Sequence, residues 1–298
     1  MFDAMRHVVD DDATQRNAHI NAGRQLVAAA KQAKSIDAVI DALEDKMVET
    51  MGKLAIVTAI LEAESASAHF AGVSNSPGSL KIGKFANAWH ARFATLLIEG
   101  RKASDVGDVF ENLEVINFNY DRTLEVFLLH SISGFYGLAP VEVQPIVATL
   151  PMHRPYGKVG ELRWLGGGVN SIKFGEGRPD QIAAAYKQVR TFTERVEEGE
   201  ELAAIKQSIA NADRIVFLGF GFHRQNLELL SAPIQPHCEL VGTTMGLSPD
   251  DTDLVLGDLQ KNFGIHGRHD QSRFKLRDLG CADFFDQFGR RLSSDPIM

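Results

Sequence analysis

Residues 115–121, Val-Ile-Asn-Phe-Asn-Tyr-Asp, join a short apolar run to a polar turn and decide the fold. The run at 115–118 has the composition of a buried strand. Residues 124–132, which follow the turn, carry apolar side chains at helical spacing. A strand, a turn and a helix in this order indicate the beginning of an α/β unit.

The same order of elements recurs towards the C-terminus. Residues 214–218, Arg-Ile-Val-Phe-Leu, predict the clearest strand of the chain, and residues 226–230 predict a helix after it. A further strand predicted at 239–242 precedes a helix predicted at 250–262. Because strands that alternate with helices usually pair in parallel, the pattern predicts an α/β fold with a doubly wound, mostly parallel sheet.

The segment between these regions contains further predicted elements. Residues 181–195 and 200–210 have helical composition, and we predict helices there. Residues 141–150 are rich in valine and are predicted to be extended.

The first third of the chain is predicted to be helical. Residues 16–33 are rich in good helix formers, and Ser35 is placed to cap a short helix after them. Residues 47–63 are apolar on nearly all faces, which is typical of a helix buried in a core or between subunits. We therefore predict an N-terminal helical cap at 1–111, packed on a nucleotide-binding α/β core at 112–298 as one structural unit.

Composition excludes several classes of protein. The chain has 298 residues, of which 44% are hydrophobic, and a formal net charge of -8. That charge argues against a nucleic-acid-binding surface over the whole protein and leaves a local basic patch open. The sequence contains no run of about 18 apolar residues, which a membrane-spanning helix needs, so a cytoplasmic location is expected. Two distant cysteines, Cys238 and Cys281, exclude a disulfide framework and a four-cysteine zinc site.

Asn119 and Asp121 form the first candidate site, because they follow the predicted strand at 115–118. In open α/β sheets, ligands bind beyond the carboxyl ends of the strands. An amide and a carboxylate there can contact a carboxamide, a ribose hydroxyl or a water. The alternative is that either residue caps the helix that follows.

Two other places have residues suited to chemistry. Gly219 and Gly221 follow the clearest strand, where they let a phosphate approach the backbone or serve a tight turn. His153 lies in a glycine-rich segment and is a candidate general base, although a loop histidine is commonly just exposed. His266, His269 and Asp270 have a spacing that could suit a metal, but a solvated loop fits them better, and we predict no metal site.

Together these stretches resemble the sirtuin-like NAD-hydrolase domains of bacteria, many of which act in antiphage defence. The resemblance is carried by short motifs, whose order and rough spacing are similar to those of that family. They are Phe118-Asn119-Tyr120-Asp121 with Leu124-Glu125, the stretch from His153 to Gly160, Phe217-Leu218-Gly219-Phe220-Gly221-Phe222 with Asn226, and Leu279-Gly280-Cys281-Ala282-Asp283.

The resemblance implies a sirtuin-like variant of the Rossmann fold that binds NAD and cleaves the bond between nicotinamide and ribose. In that scheme Asn119 positions the attacking water or the ribose, Asp121 contacts the carboxamide, and His153 is the base. The remaining residues implied in NAD binding are Phe118, Tyr156, Gly157, Gly219, Gly221, Phe222, Asn226 and Cys281. The expected partners are NAD or a nucleotide like ADP-ribose, and either a second copy of the chain or a protein of a defence system.

The sequence departs from the family in two respects. The family opens with a strand and a glycine-rich loop that cradles the pyrophosphate, and we expect this chain to begin after that loop. The family's histidine is followed directly by glycine, whereas here Tyr156 precedes Gly157 and His153 lies three residues earlier. Two alignments are therefore open for the base. The alternative function is a nucleotide-binding, regulatory or assembly module without turnover.

Overall fold

The structure is a computed structural model that describes residues 1–9, 12–33, 35–67, 82–168, 171–191, 194, 199–265 and 272–293. Its α-helices are, in chain order, α1 (Phe2–Val8), α2 (Ala13–Ala30), α3 (Ile36–Leu43), α4 (Lys46–Ala66), α5 (Trp89–Ile98), α6 (Thr123–Tyr136), α7 (Pro140–Val147), α8 (Pro179–Ala185), α9 (Glu200–Asn211), α10 (Arg224–Leu229), α11 (Pro249–Asn262) and α12 (Cys281–Leu292). Its strands are β1 (Val115–Ile116), β2 (Met152–His153), β3 (Arg214–Phe217), β4 (Glu239–Thr243) and β5 (Phe274–Arg277).

The chain divides into two compact units, each made of two segments. The first unit comprises Met1–Leu80 and Val115–Glu197, and the second comprises Lys81–Glu114 and Glu198–Met298. The predicted boundary between residues 111 and 112 is not tested by this division and stays a prediction.

The first unit is built around α4, whose buried side chains face α2 and α3. Met51 and Leu54 are fully buried, as the apolar pattern of this helix predicts. A Cβ on Gly52 would lie 2.5 Å from the Cδ1 of Ile40, so glycine allows α3 and α4 to approach closely. The Oγ of Ser35 accepts a hydrogen bond from the Ala38 N–H at 3.1 Å and caps α3, which confirms the predicted cap.

The small sheet of the first unit positions the turn that follows β1. Strands β1 and β2 pair in parallel, with Ile116 opposite His153. The Asn117 N–H donates to the His153 carbonyl at 2.8 Å and extends the pairing by one residue. The chain then turns into α6, in which every residue from Leu124 to Ser133 is buried.

The second unit contains a three-stranded parallel sheet in the order β3-β4-β5, with Phe217 opposite Gly242. All five residues of β4 are buried, as expected for the central strand of a covered parallel sheet. Helix α12 packs on α5 through Phe285, whose ring stacks 6.4 Å from that of Trp89. Glu239, the first residue of β4, lies at the amino end of the sheet. It binds Arg214 and Arg291 and so joins β3, β4 and α12.

The predicted fold class is confirmed at its coarser level. The described residues form a mixed α/β structure, mostly helical, with N-terminal helices and two small sheets that are entirely parallel. The strands predicted at 214–218 and 239–242 are β3 and β4, and the helix predicted at 250–262 is α11. No helix among the described residues is long and apolar enough to cross a membrane.

Two predicted elements are wrong, and the buried strand predicted at 115–118 is confirmed only at Val115–Ile116, which are half-buried. Residues 141–150 were predicted to be extended but form α7, because Pro140 begins the helix and the Glu142 carboxylate accepts from the Ala139 N–H at 2.7 Å. The helix predicted at 181–195 ends as α8 at Ala185. Beyond a short 3₁₀ turn, Val189 pairs instead with Gly157 in an isolated β-bridge, so tertiary pairing overrides helical composition.

Candidate functional site

In the first unit, Asn119 lies in the turn directly after β1, and its side chain is exposed. Its backbone N–H donates to the Oδ1 of Asn117 at 2.9 Å, so the turn is closed locally by a side chain. The Asn119 amide is therefore presented to solvent from a backbone that is held in place. An exposed amide can donate to and accept from a bound carboxamide, hydroxyl or water.

Asp121 is half-buried and has a structural partner. Its Oδ1 accepts a hydrogen bond at 3.0 Å from the N–H of Thr123, the first residue of α6. The capping interpretation is wrong in its detail, because Arg122 is the N-cap of α6 and makes no side-chain capping bond, whereas Asp121 closes a local turn one residue before it. One carboxylate oxygen is thus occupied at the start of the helix.

His153 and Tyr156 differ in how far each side chain can be reached. His153 is half-buried at the end of β2. Tyr156 is 4% exposed, and its ring packs at 5.8 Å against the ring of Phe118. A base must reach its substrate, so burial favours His153 over Tyr156 for that role. Phe118 and Tyr156 form an aromatic support beneath the turn.

Gly157 has a structural reason to be glycine. Its φ is +78°, and a Cβ there would collide with the backbone carbonyl of Gln188. The Gly157 N–H donates to the Arg154 carbonyl at 2.8 Å and closes the turn after β2. The close approach of residue 188 thus explains this glycine without a ligand.

The turn in the first unit also holds a tyrosine whose phenol is partly buried. The Tyr120 hydroxyl donates to the carbonyl of Arg190 at 2.9 Å. Burial raises the pKa of Tyr120, and the nearby Asp37, Tyr156 and Glu194 raise it further. Tyr120 therefore remains a neutral hydrogen-bond donor and serves to fix the turn.

In the second unit, the turns at the carboxyl end of the sheet bring Gly219, Thr243 and Cys281 together. Gly219 is exposed with a φ of +58°, and its N–H donates to the Oγ1 of Thr243 at 3.0 Å. A Cβ on Gly219 would lie 3.5 Å from the Sγ of Cys281, the first residue of α12. Burial raises the pKa of the Cys281 thiol, although a hydrogen bond with Thr243 partly offsets the rise. The thiol is consequently protonated at neutral pH.

Gly221, Phe222 and Asn226 divide into an exposed residue and two buried ones. Gly221 is exposed in the turn after β3. Phe222 has a φ of +50° and is buried, with its ring 5.5 Å from that of Phe217. Asn226 is buried in α10. Phe222 and Asn226 therefore shape the turn from within, whereas the two glycines leave its backbone open to solvent.

The carboxyl edge of this sheet also carries polar groups that the sequence did not single out. Thr243 ends β4, and Asp278 follows β5 and accepts from the Gly246 N–H at 3.2 Å. Met245 is 73% exposed beside them. Thr243, Met245 and Asp278 lie at the same edge as Gly219 because β3, β4 and β5 run parallel and end at that edge, which the sequence alone does not reveal.

The structure forms two ion pairs in the first unit whose partners are both buried, and sequence reasoning missed both pairs. Arg122 binds Glu64 at 2.5 Å, and Arg154 binds Glu125 at 2.6 Å. All four side chains are at least nine-tenths buried. No local pattern reveals such pairs, because each partner is distant in sequence and charged residues are normally exposed.

The predicted site residues therefore fall into two groups. The first unit holds Phe118, Asn119, Asp121, His153, Tyr156 and Gly157, and the second holds Gly219, Gly221, Phe222, Asn226 and Cys281. Within the described ranges, no group of three or more His, Cys, Asp or Glu side chains is placed to hold a metal ion. His266, His269 and Asp270 lie outside the described residues.

Comparison of the chain with protein-family models, with curated proteins and with solved structures found no match.

Proposed function

We propose that this protein binds NAD and hydrolyses it to nicotinamide and ADP-ribose, in the manner of the sirtuin-like domains that its motifs resemble. The proposal includes the finer fold of that family, a doubly wound Rossmann variant. It also includes a role in antiphage defence. The observation that carries it is the exposed carboxyl edge of β3, β4 and β5, where Gly219 and Gly221 leave the backbone uncovered.

The chemistry of this edge suits a nucleotide. Ligands of open parallel sheets bind beyond the carboxyl ends of the strands. Glycine allows a phosphate to approach the main chain, and the N-terminus of the 12-residue α12 favours an anion nearby. The exposed carboxylates of Asp278 and Asp283 would repel a phosphate at close range, but they are suited to accept hydrogen bonds from ribose hydroxyls.

Turnover requires groups that can act on the nicotinamide–ribose bond. In the proposed reaction, the bond from ribose C1′ to the nicotinamide nitrogen breaks and the oxygen of a water bonds to C1′. Nicotinamide leaves with the bonding electron pair, and the proton of the water passes to His153. The exposed amide of Asn119 supports a role in positioning the water or the ribose.

Binding without turnover is a second candidate function, which the contacts of Asp121 favour. One oxygen of that carboxylate is engaged with Thr123, and Tyr156 is too buried to serve as a base. In this alternative the protein is a nucleotide-binding regulatory or assembly module.

The test of NAD binding is calorimetric titration of NAD into the intact chain and into two matched glycine variants. Gly221→Val places a branched side chain on the exposed edge at a residue without a positive φ, with the ring of the exposed His223 3.1 Å from its Cβ. Gly107→Val makes the same change at an exposed glycine with open space around it. We expect Gly221→Val to weaken NAD binding at least tenfold, about 1.4 kcal/mol, and Gly107→Val to leave it unchanged.

Product analysis separates the two functions. Release of nicotinamide from NAD by the wild-type chain, lost in Asn119→Ala, supports hydrolysis. Binding of NAD without release supports the regulatory alternative. Absence of binding by the wild type contradicts both.

A further inference from the structure

Three consecutive carbonyls in the turn after β1 accept hydrogen bonds from one short segment. One guanidinium nitrogen of Arg154, Nη1, donates to the Asn119 carbonyl at 2.8 Å and to the Asp121 carbonyl at 2.9 Å. The Val159 N–H donates to the Tyr120 carbonyl at 3.1 Å. The backbone of residues 119–121 is therefore bound at every carbonyl by residues 154–159.

Arg154 is itself held in place. Its side chain is 6% exposed, and its other terminal nitrogen, Nη2, donates to the Oε1 of Glu125 at 2.6 Å. Glu125 lies in the first turn of α6, the helix that the turn enters. Buried charges persist only where they are paired and hydrogen-bonded, so this pair restricts where the guanidinium can lie.

We propose that Arg154 is the positioning residue that directs the side chains of Asn119 and Asp121, an inference that rests on the proposed function of these two residues. Arg154 acts through their main chain, since it binds both carbonyls. The residue before it, His153, receives a hydrogen bond from Asn117 at the end of β1. Residues 153–154 therefore hold the turn at both of its ends, at Asn117 through the His153 carbonyl and at Asp121 through the Arg154 guanidinium.

The geometry requires arginine rather than a positive charge alone. The two terminal nitrogens of a guanidinium are fixed in one plane, so one can bind the carbonyls while the other binds the carboxylate. A lysine ammonium is a single point on a flexible stem. Arg154→Lys should keep the charge opposite Glu125 but release at least one carbonyl of the turn.

The test compares Arg154→Lys with Leu54→Ala in the full chain. Leu54 is fully buried in α4, and its truncation lowers stability while leaving in place the groups that form the hydrogen bonds of Arg154 to the turn. Hydrogen exchange measured by mass spectrometry should rise at least tenfold in the peptide covering residues 117–123 of Arg154→Lys. In Leu54→Ala the same peptide should exchange as in the wild type.

NAD titration supplies the functional readout under conditions in which both variants are folded. We expect Arg154→Lys to lose at least tenfold in NAD affinity or in nicotinamide release, and Leu54→Ala to stay within threefold of the wild type. Wild-type binding and turnover in Arg154→Lys would overturn the proposal. Wild-type exchange in the 117–123 peptide of that variant would overturn it as well.

Failure of the proposed function is distinguishable from failure of this inference. If the wild type does not bind NAD, the proposed function fails, and the exchange of the 117–123 peptide alone decides whether Arg154 holds the turn. If Arg154→Lys does not fold, Glu125→Gln takes its place, because glutamine keeps an acceptor for Arg154 and removes the charge. A smaller rise confined to the same peptide supports the proposal, and no rise overturns it.

Discussion

Glu64→Gln removes the negative charge from a buried carboxylate that accepts four hydrogen bonds. The Glu64 oxygens accept from the backbone N–H, Nε and Nη2 of Arg122 at 2.9, 3.1 and 2.5 Å, and from the Gly175 N–H at 2.9 Å. Both charged side chains are only 1% exposed. The pair links α4 to the start of α6 and to the loop near Gly175.

The expected loss follows from what the substitution leaves behind. Glutamine occupies nearly the same volume, but it replaces one acceptor by a donor and leaves the Arg122 charge buried without a counter-charge. Breaking a buried ion pair by removing one partner costs about 3–5 kcal/mol. Since a folded domain is stable by about 5–15 kcal/mol, this loss is a large fraction of the total.

Urea denaturation followed by far-UV circular dichroism measures the effect. Glu176→Gln is the matched control, because Glu176 pairs with Lys173 at 3.5 Å while both side chains are more than half exposed. The control should change the free energy of unfolding by less than about 0.5 kcal/mol. A loss below about 1 kcal/mol in Glu64→Gln would refute the view that this pair secures the entry to α6.

Three further predictions concern single residues of the first unit. Gly157→Ala forces an unfavourable φ and a backbone clash, so it should lower the free energy of unfolding by about 2–4 kcal/mol in urea titrations. Gly134→Ala, on an open helix surface, should be neutral or stabilising, and equal effects of the two variants would contradict the close approach at Gly157. Burial lowers the pKa of His130, so the unfolded chain takes up the proton first as the pH falls below about 6.5, and the folded state loses stability there. The variant His130→Gln should therefore lose less stability than the wild type between pH 7.5 and 5.5, and an identical loss would contradict a lowered pKa of His130. Ser35→Ala removes the cap of α3 and should cost about 1 kcal/mol by thermal unfolding, a result that an unchanged midpoint would contradict.

Local sequence signals predicted the elements whose stabilising contacts are local. Ser35 marked the start of α3 because its capping partner lies three residues away. The apolar run at 214–218 predicted β3, although only Phe217 of its four residues is buried and Val216 is exposed. Residues 141–150 show the limit of composition, since Pro140 at the first helical position and the Glu142 carboxylate bound to the Ala139 N–H outweigh the strand preference of valine.

The candidate site depends on contacts that no local pattern contains. The sequence predicted Gly219 and Cys281 as separate motifs, and their proximity follows from the parallel sheet and from the placement of α12 after β5. Arg154 is 29 residues from Glu125, and the partners meet only because β2 pairs with β1. Ion pairs between residues that are distant in sequence follow no periodic pattern, so they can be recognised only from the structure in which the strands are paired.

The central claim is that NAD binds at the carboxyl edge of β3, β4 and β5, and hydrogen exchange of the wild-type chain with and without NAD tests it most directly. At saturating NAD we predict slower exchange in peptides that cover residues 218–222 and 278–281, where Gly219, Gly221 and Cys281 lie. Unchanged exchange in both peptides at an NAD concentration that saturates the chain by calorimetry would contradict the claim.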